Sequence, residues 1–70
     1  MSAVMEKDPY YKMKNFIDKS GYTQGEVADL IDMSRATFSI KINRKYGRDF
    51  SLSEAIRIAK ALDGTLSDFI

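Results

Sequence analysis

Thr23-Gln24-Gly25-Glu26-Val27-Ala28-Asp29-Leu30-Ile31-Asp32-Met33-Ser34-Arg35-Ala36-Thr37-Phe38-Ser39 is the stretch that decides the fold. Thr23 and Glu26 stand in the spacing of a capping box, in which the two side chains satisfy orphan N–H groups at a helix start. Val27, Ala28 and Ile31 then recur at helical spacing on one face, with Leu30 at its border. Ser34 offers a second N-cap three residues after Ile31. Only a tight turn therefore separates one helix from the next.

The residues that follow are ambiguous by themselves. Ala36, Phe38, Ile40 and Ile42 alternate with Thr37, Ser39, Lys41 and Asn43, the period of a half-buried strand. Helical spacing also works, since Phe38 and Ile42 share a face four residues apart, with Ile40 left on the outside. The local pattern slightly favours a strand. A lone strand has no partner in this chain, however, and the flanking helices make an all-helical answer more economical.

Upstream, Asp8-Pro9 reads as an N-cap followed by a proline whose missing N–H costs nothing there. Tyr10, Met13, Phe16 and Ile17 continue as one apolar stripe, and Gly21 suits the left-handed residue that ends a helix. Downstream, Ser51 and Glu54 make a second capping box, opening a helix whose buried face is expected to hold Leu52, Ala55, Ile56, Ala59 and Leu62. Gly64 is expected to close it. Thr65 and Asp68 weakly repeat the capping pattern for a last turn carrying Leu66, Phe69 and Ile70. Residues 1–7 lack periodicity and read as a frayed tail, leaving 8–70 as one domain. The expectation is an all-α fold of five helices, begun at Asp8, Thr23, Ser34, Ser51 and Thr65.

Composition agrees with one small globular domain: 70 residues, 44% hydrophobic and 30% charged. A chain this short buries only about 60% of its unfolded surface, a deficit that disulfides or a structural metal often offset. With neither Cys nor His, the chain has no disulfide, thiol chemistry or imidazole base. No paired carboxylates, phosphate loop or nucleophile–base pair is visible either, so no catalytic residue, cofactor, metal or small-molecule substrate is expected. The longest apolar run, Ala3-Val4-Met5, is far below the roughly twenty residues of a membrane span. No signal-peptide pattern precedes it, and a soluble cytoplasmic protein is expected.

The net charge of +1 conceals an uneven distribution. Lys7, Lys12, Lys14 and Lys19 against Glu6, Asp8, Asp18, Glu26, Asp29 and Asp32 leave residues 1–32 at −2. Arg35, Lys41, Arg44, Lys45 and Arg48 against Asp49 put residues 33–50 at +4, and residues 51–70 stand at −1. A basic centre between acidic flanks suits a polyanion-binding face. On charge alone, a solvated basic loop is an equal account.

The run Thr23 to Ser39 resembles the Cro/repressor-type (lambda-repressor-like) helix-turn-helix family of phage and bacterial regulators. Thr-Gln opens the second helix, an aliphatic–Ala pair follows, and after the turn comes Ser-Arg-x-Thr-apolar-Ser. Lys41-Ile42-Asn43 resembles a subgroup of that family, and Ile58-Ala59-Lys60-Ala61-Leu62 resembles its fourth helix. The resemblance covers about residues 10–70 and implies that 35–43 is a recognition helix in the DNA major groove. It departs from the family at Asp32 and Arg44, where glycine is usual, and at Ile40, where a polar base reader is common.

Carried over residue by residue, the resemblance implies base contacts by Arg35, Ala36, Thr37, Ser39 and Ile40, with Phe38 and Ile42 turned to the core. It implies DNA-backbone contacts by Gln24, Asn43, Arg44, Lys45 and Arg48. The chemistry is compatible: Arg35 can donate two parallel hydrogen bonds to guanine, and Ile40 can meet a thymine methyl. Gln24 begins a helix whose free N–H groups can face a phosphate. Tyr46 and Phe50 are expected to anchor the long loop to the core. The leading reading is a sequence-specific transcriptional regulator, a homodimer on a double-stranded DNA operator. The alternative is a protein-interaction module of the same fold that binds another regulator or a toxin, motivated by Ile40 and the apolar end Leu66, Phe69 and Ile70.

Overall fold

The structure, a computed structural model, describes residues 8–69. The element order is α1 (Tyr11–Ser20), α2 (Gln24–Leu30), α3 (Arg35–Ile42), a 3₁₀ turn (Lys45–Gly47), α4 (Leu52–Ala61) and a second 3₁₀ turn (Leu66–Asp68). No described residue lies in a strand, so the alternation over 36–43 was a false strand signal. The fold is all-α, but the fifth helix is only the 3₁₀ turn Leu66–Asp68. The expected tail at 1–7 and the apolar Ile70 lie outside the described residues. No helix among the described residues is long and apolar enough to cross a membrane.

The start signals act largely as read. Thr23 and Ser51 each accept from the backbone N–H three residues on, and Glu26 and Glu54 return the bond. Ser34 Oγ accepts from Thr37 N–H at 3.1 Å. Asp8 is the exception: α1 starts at Tyr11, and its N-cap Tyr10 makes no side-chain cap bond. A tertiary bond meets the chain at the same point, Tyr10 N–H donating to Ile42 O at the end of α3, 2.9 Å away. The chain makes a tight turn there instead of the expected first helical turn: Tyr10 has φ −78° and ψ 78°, and Tyr11 N–H donates to Pro9 O at 2.9 Å.

Helix ends follow one device twice. Asp32 and Asp63 take the left-handed conformation (φ 60° and 57°), and the next N–H reaches back five residues: Met33 to Ala28 O and Gly64 to Ala59 O. Asp32 thus does the work of the glycine usual in the family. Gly64 does not carry the positive φ expected of a closing glycine. It is required for space, since a Cβ there would lie 2.8 Å from Phe16 Cζ.

The core comprises Met13, Ile17, Val27, Ala28, Ile31, Phe38, Ile42, Ile58, Ala59, Leu62 and Phe69. Each larger aliphatic or aromatic side chain among these contributes about 1.5–3 kcal/mol on burial. Ala28 is fully buried where α2 meets α3, which a larger side chain would hold apart. The α4 face is rotated from the expected one: Ile58 is at its centre, whereas Leu52 and Ile56 are exposed. Two polar ties fix the frame. Arg57 donates from α4 to Ile31 O at the end of α2, and Lys41 Nζ bridges α3 to both Glu54 oxygens at 2.9–3.0 Å.

Candidate nucleic-acid interface

Phe38 and Ile42 are fully buried and fix the rotation of α3. The opposite side therefore carries Arg35, Ala36 and Ser39 exposed, with Thr37 and Ile40 half-buried. Ser34 donates to Thr37 Oγ1 at 2.8 Å, so the Thr37 hydroxyl keeps its own proton to give. At the first turn, the Arg35 guanidinium is bonded to Asp29 of α2, Nη2 to Oδ2 at 2.6 Å and Nε to Oδ1 at 3.3 Å. The hydrogen bond from Arg35 holds the Asp29 carboxyl below its ordinary range, and the same bond raises Arg35.

Beyond α3 the backbone is unusual. Arg44, Tyr46 and Gly47 all have positive φ (54°, 57° and 71°), folding the chain sharply at the end of the helix. Arg44 turns inward. Its guanidinium lies 4.7 Å from the Tyr10 ring centre and pairs with Asp49 Oδ2 at 3.2 Å. Asp49 Oδ1 accepts from the Tyr10 hydroxyl and from Phe50 N–H. Phe50 packs on Tyr10 and Phe38, so it anchors the loop as expected. Tyr46 does not: it is 83% exposed, on the outward side of the same turn. Lys45 and Arg48 flank it, both exposed.

The sequence between two capped helices, the buried Ala28 and the outward α3 face together make a helix-turn-helix. A family profile described as the Cro/C1-type HTH DNA-binding domain matches residues 12–70. The chain belongs to that family. Among curated proteins, none matches it. The resemblance read from Thr23–Ser39 is thus sound, and the domain is a DNA-binding one of the kind found in regulators.

Within this Cro/C1-type domain the expected contact residues fall into two groups. Arg35, Ala36, Thr37, Ser39 and Ile40 share α3, with half-buried Gln24 at the start of α2 and exposed Lys45 and Arg48 past the helix end. Asn43 and Arg44 are already engaged inside the domain. The Asn43 amide donates to Ser39 O at 2.8 Å and accepts from Lys14 Nζ at 2.5 Å. Sequence reading missed Lys14, Asp29 and Asp49. Lys14 meets Asn43 and Asp49 meets Tyr10 only across long stretches of chain, and Asp29 meets Arg35 across the turn between α2 and α3. The Asp49–Arg44 pair alone is close in sequence within one loop.

Proposed function

We propose that this domain is a sequence-specific transcriptional regulator of the Cro or repressor kind, from a phage or a prokaryote, acting in the cytoplasm on double-stranded operator DNA. The single observation that carries this reading is the outward face of α3, free of core duty and led by Arg35. In the proposal α3 enters the major groove, where Arg35, Ala36, Thr37, Ser39 and Ile40 meet base edges. Gln24, Lys45 and Arg48 meet phosphates. Asn43 and Arg44 support them from within: Asn43 draws Lys14 to the end of α3, and Arg44 holds the turn that carries Lys45.

One recognition helix reads only a few base pairs, so a homodimer on two half-sites about 34 Å apart belongs to the proposal. Phe69 cannot be its contact, since that ring is buried edge-on against Phe16 at 5.5 Å. The proposal places the contact at the loop 46–50, where Tyr46 is exposed. Selection of bound sequences from a random DNA pool tests the whole reading. A two-fold symmetric site supports it, a single asymmetric half-site with one protein bound removes the dimer, and no enrichment removes sequence-specific binding.

The protein-interaction reading loses part of its motive, because Phe69 is buried and Ile40 half-buried. Exposed Leu30 on α2 and Leu52 and Ile56 on α4 support it instead. Salt separates the two readings: phosphate contacts release counterions and steepen the salt dependence of binding, whereas an apolar partner surface does not.

A further inference from the structure

We infer that Asp29 and Gly25 are positioning residues for sequence discrimination: together they form a rest on α2 that presents the free edge of the Arg35 guanidinium to a base. The inference rests on the reading of Arg35 as a base contact and adds the residues that aim it.

A guanidinium has five N–H donors arranged as two forks. Asp29 occupies the fork formed by Nε and Nη2. The other fork, formed by Nη1 and the second Nη2 proton, is left to match the O6 and N7 acceptors of a guanine. Holding one edge fixes the plane and direction of the other.

Gly25 supplies the seat. It lies inside α2, where glycine is among the poorest helix formers, and its φ is not one that calls for glycine. Its use is space: a Cβ at this position would stand 2.9 Å from Arg35 Nη1 and 3.0 Å from Cζ and Nε. The guanidinium therefore lies directly over the bare Cα. Asp29 lies beyond it toward the end of α2, and the charge of Glu26 adds to the attraction.

Stability does not account for this arrangement. Both side chains of the pair are well exposed, at 63% and 59%, and exposed pairs contribute little to folding. A carboxylate beside the DNA-facing helix also repels phosphate. What the rest does supply is preorganisation: a long side chain ordered before binding loses less freedom on binding. Because the Arg35 hydrogen bond keeps the Asp29 carboxyl below its ordinary range, the pair stays ionised at neutral pH.

The test compares the wild-type chain with Arg35→Ala, Asp29→Ala and Gly25→Ala. Binding of each is measured by fluorescence anisotropy to the selected operator, to that operator changed at the base pair Arg35 reads, and to a non-specific duplex. Thermal melts accompany each variant. Arg35→Ala should lose discrimination at that base pair by tenfold or more. Asp29→Ala and Gly25→Ala should each lose three- to tenfold at the same base pair and none elsewhere in the site. Asp29→Ala should hold non-specific DNA as tightly as wild type or more so, and Gly25→Ala should melt at the same temperature or higher. Those last two readouts separate aiming from a merely structural role, which would lower the melting temperature and weaken every duplex alike. If Arg35→Ala loses discrimination while Asp29→Ala and Gly25→Ala keep it, the rest is overturned and the base contact stands. If Arg35→Ala itself keeps full discrimination, the base-contact reading fails.

Discussion

Arg35 and Arg44 stand at the two ends of α3, and each is paired with an aspartate. The exposed Arg35 reaches back to α2 with one edge of its guanidinium free. Arg44 is largely covered, stacked on Tyr10 and tied to Asp49, and among the described residues its Nε finds no hydrogen-bond partner. Identical chemistry thus gives an exposed group with one edge still to offer at one end and a structural pin at the other. Solvent makes the difference, since water screens the first pair and is largely excluded from the second. Arg44 also accepts left-handed backbone, a cost glycine would not incur, and its inward contacts offset that cost.

Arg44→Ala is the largest expected break in this comparison. It removes the ion pair, the ring contact and the packing of the stem while keeping the backbone strain. Stability should fall by about 2–3 kcal/mol, lowering Tm by at least roughly 10 °C in a domain this small. Circular dichroism melts would show it, and a loss below about 0.5 kcal/mol would make Arg44 another surface charge. Arg44→Gly sharpens the point, because relief of the left-handed strain should make it about 1 kcal/mol milder than the alanine variant.

At the other end, Arg35→Ala should leave stability within about 0.5 kcal/mol of wild type. Its effect belongs to binding: a loss of about 1–3 kcal/mol on the best DNA site, with relaxed preference at one base pair. Equal weakening on specific and non-specific DNA would make Arg35 a phosphate contact. Lys45→Ala should act more weakly and without regard to sequence, reducing the salt slope by about one unit. Titrations at several salt concentrations would read it, and an unchanged slope removes Lys45 from the interface.

The smallest effect concerns pH and the Lys41–Glu54 tie. Partial burial pushes the Glu54 carboxyl up, but the Lys41 and Ser51 hydrogen bonds outweigh it, and the group lies below its ordinary range in the fold. Its contribution is therefore complete above the unfolded-state value of about 4.3 and is lost as pH falls through the lower folded value. Although this pair is well covered, Gln keeps an oxygen for both Lys41 and the Ser51 N–H, so Glu54→Gln should cost no more than about 1 kcal/mol at pH 7. It should also flatten the acid limb of a urea-denaturation series below about pH 4.3, and an acid limb as steep as wild type would deny Glu54 this role.

Much of the domain was legible because its signals are local. Capping at Thr23, Ser34 and Ser51 uses atoms three residues apart, and the Val27, Ala28 and Ile31 face follows from helical geometry alone. The readings that missed depended on distant partners. Asp8 and Pro9 failed as a helix start: the chain turns tightly at Tyr10, where Tyr11 N–H bonds Pro9 O and Tyr10 N–H reaches distant Ile42 O. Leu52 and Ile56 were placed inward because apolar residues border both sides of α4, and only packing showed that Ile58 is central. Tyr46 and Phe50 are both aromatic loop residues, yet the turn at Arg44 and Tyr46 sends one outward and the other into the core.

The sequence by itself determined where most helices begin, which residues of α2 and α3 face inward, and the helix-turn-helix character of the chain. Those properties depend on covalent spacing and on hydrogen bonds that close within a turn or two. Only the tertiary structure decided which charges remain available to a ligand. Arg35, Arg44 and Asn43 look alike in sequence as polar residues around one helix. Tyr10 and Lys14 are brought to Arg44 and Asn43 only when the helices pack, while Asp29 and Asp49 meet their arginines through the way the chain turns at either end of α3. Pairing and burial then separate an arginine that can still reach outward from one committed to the fold.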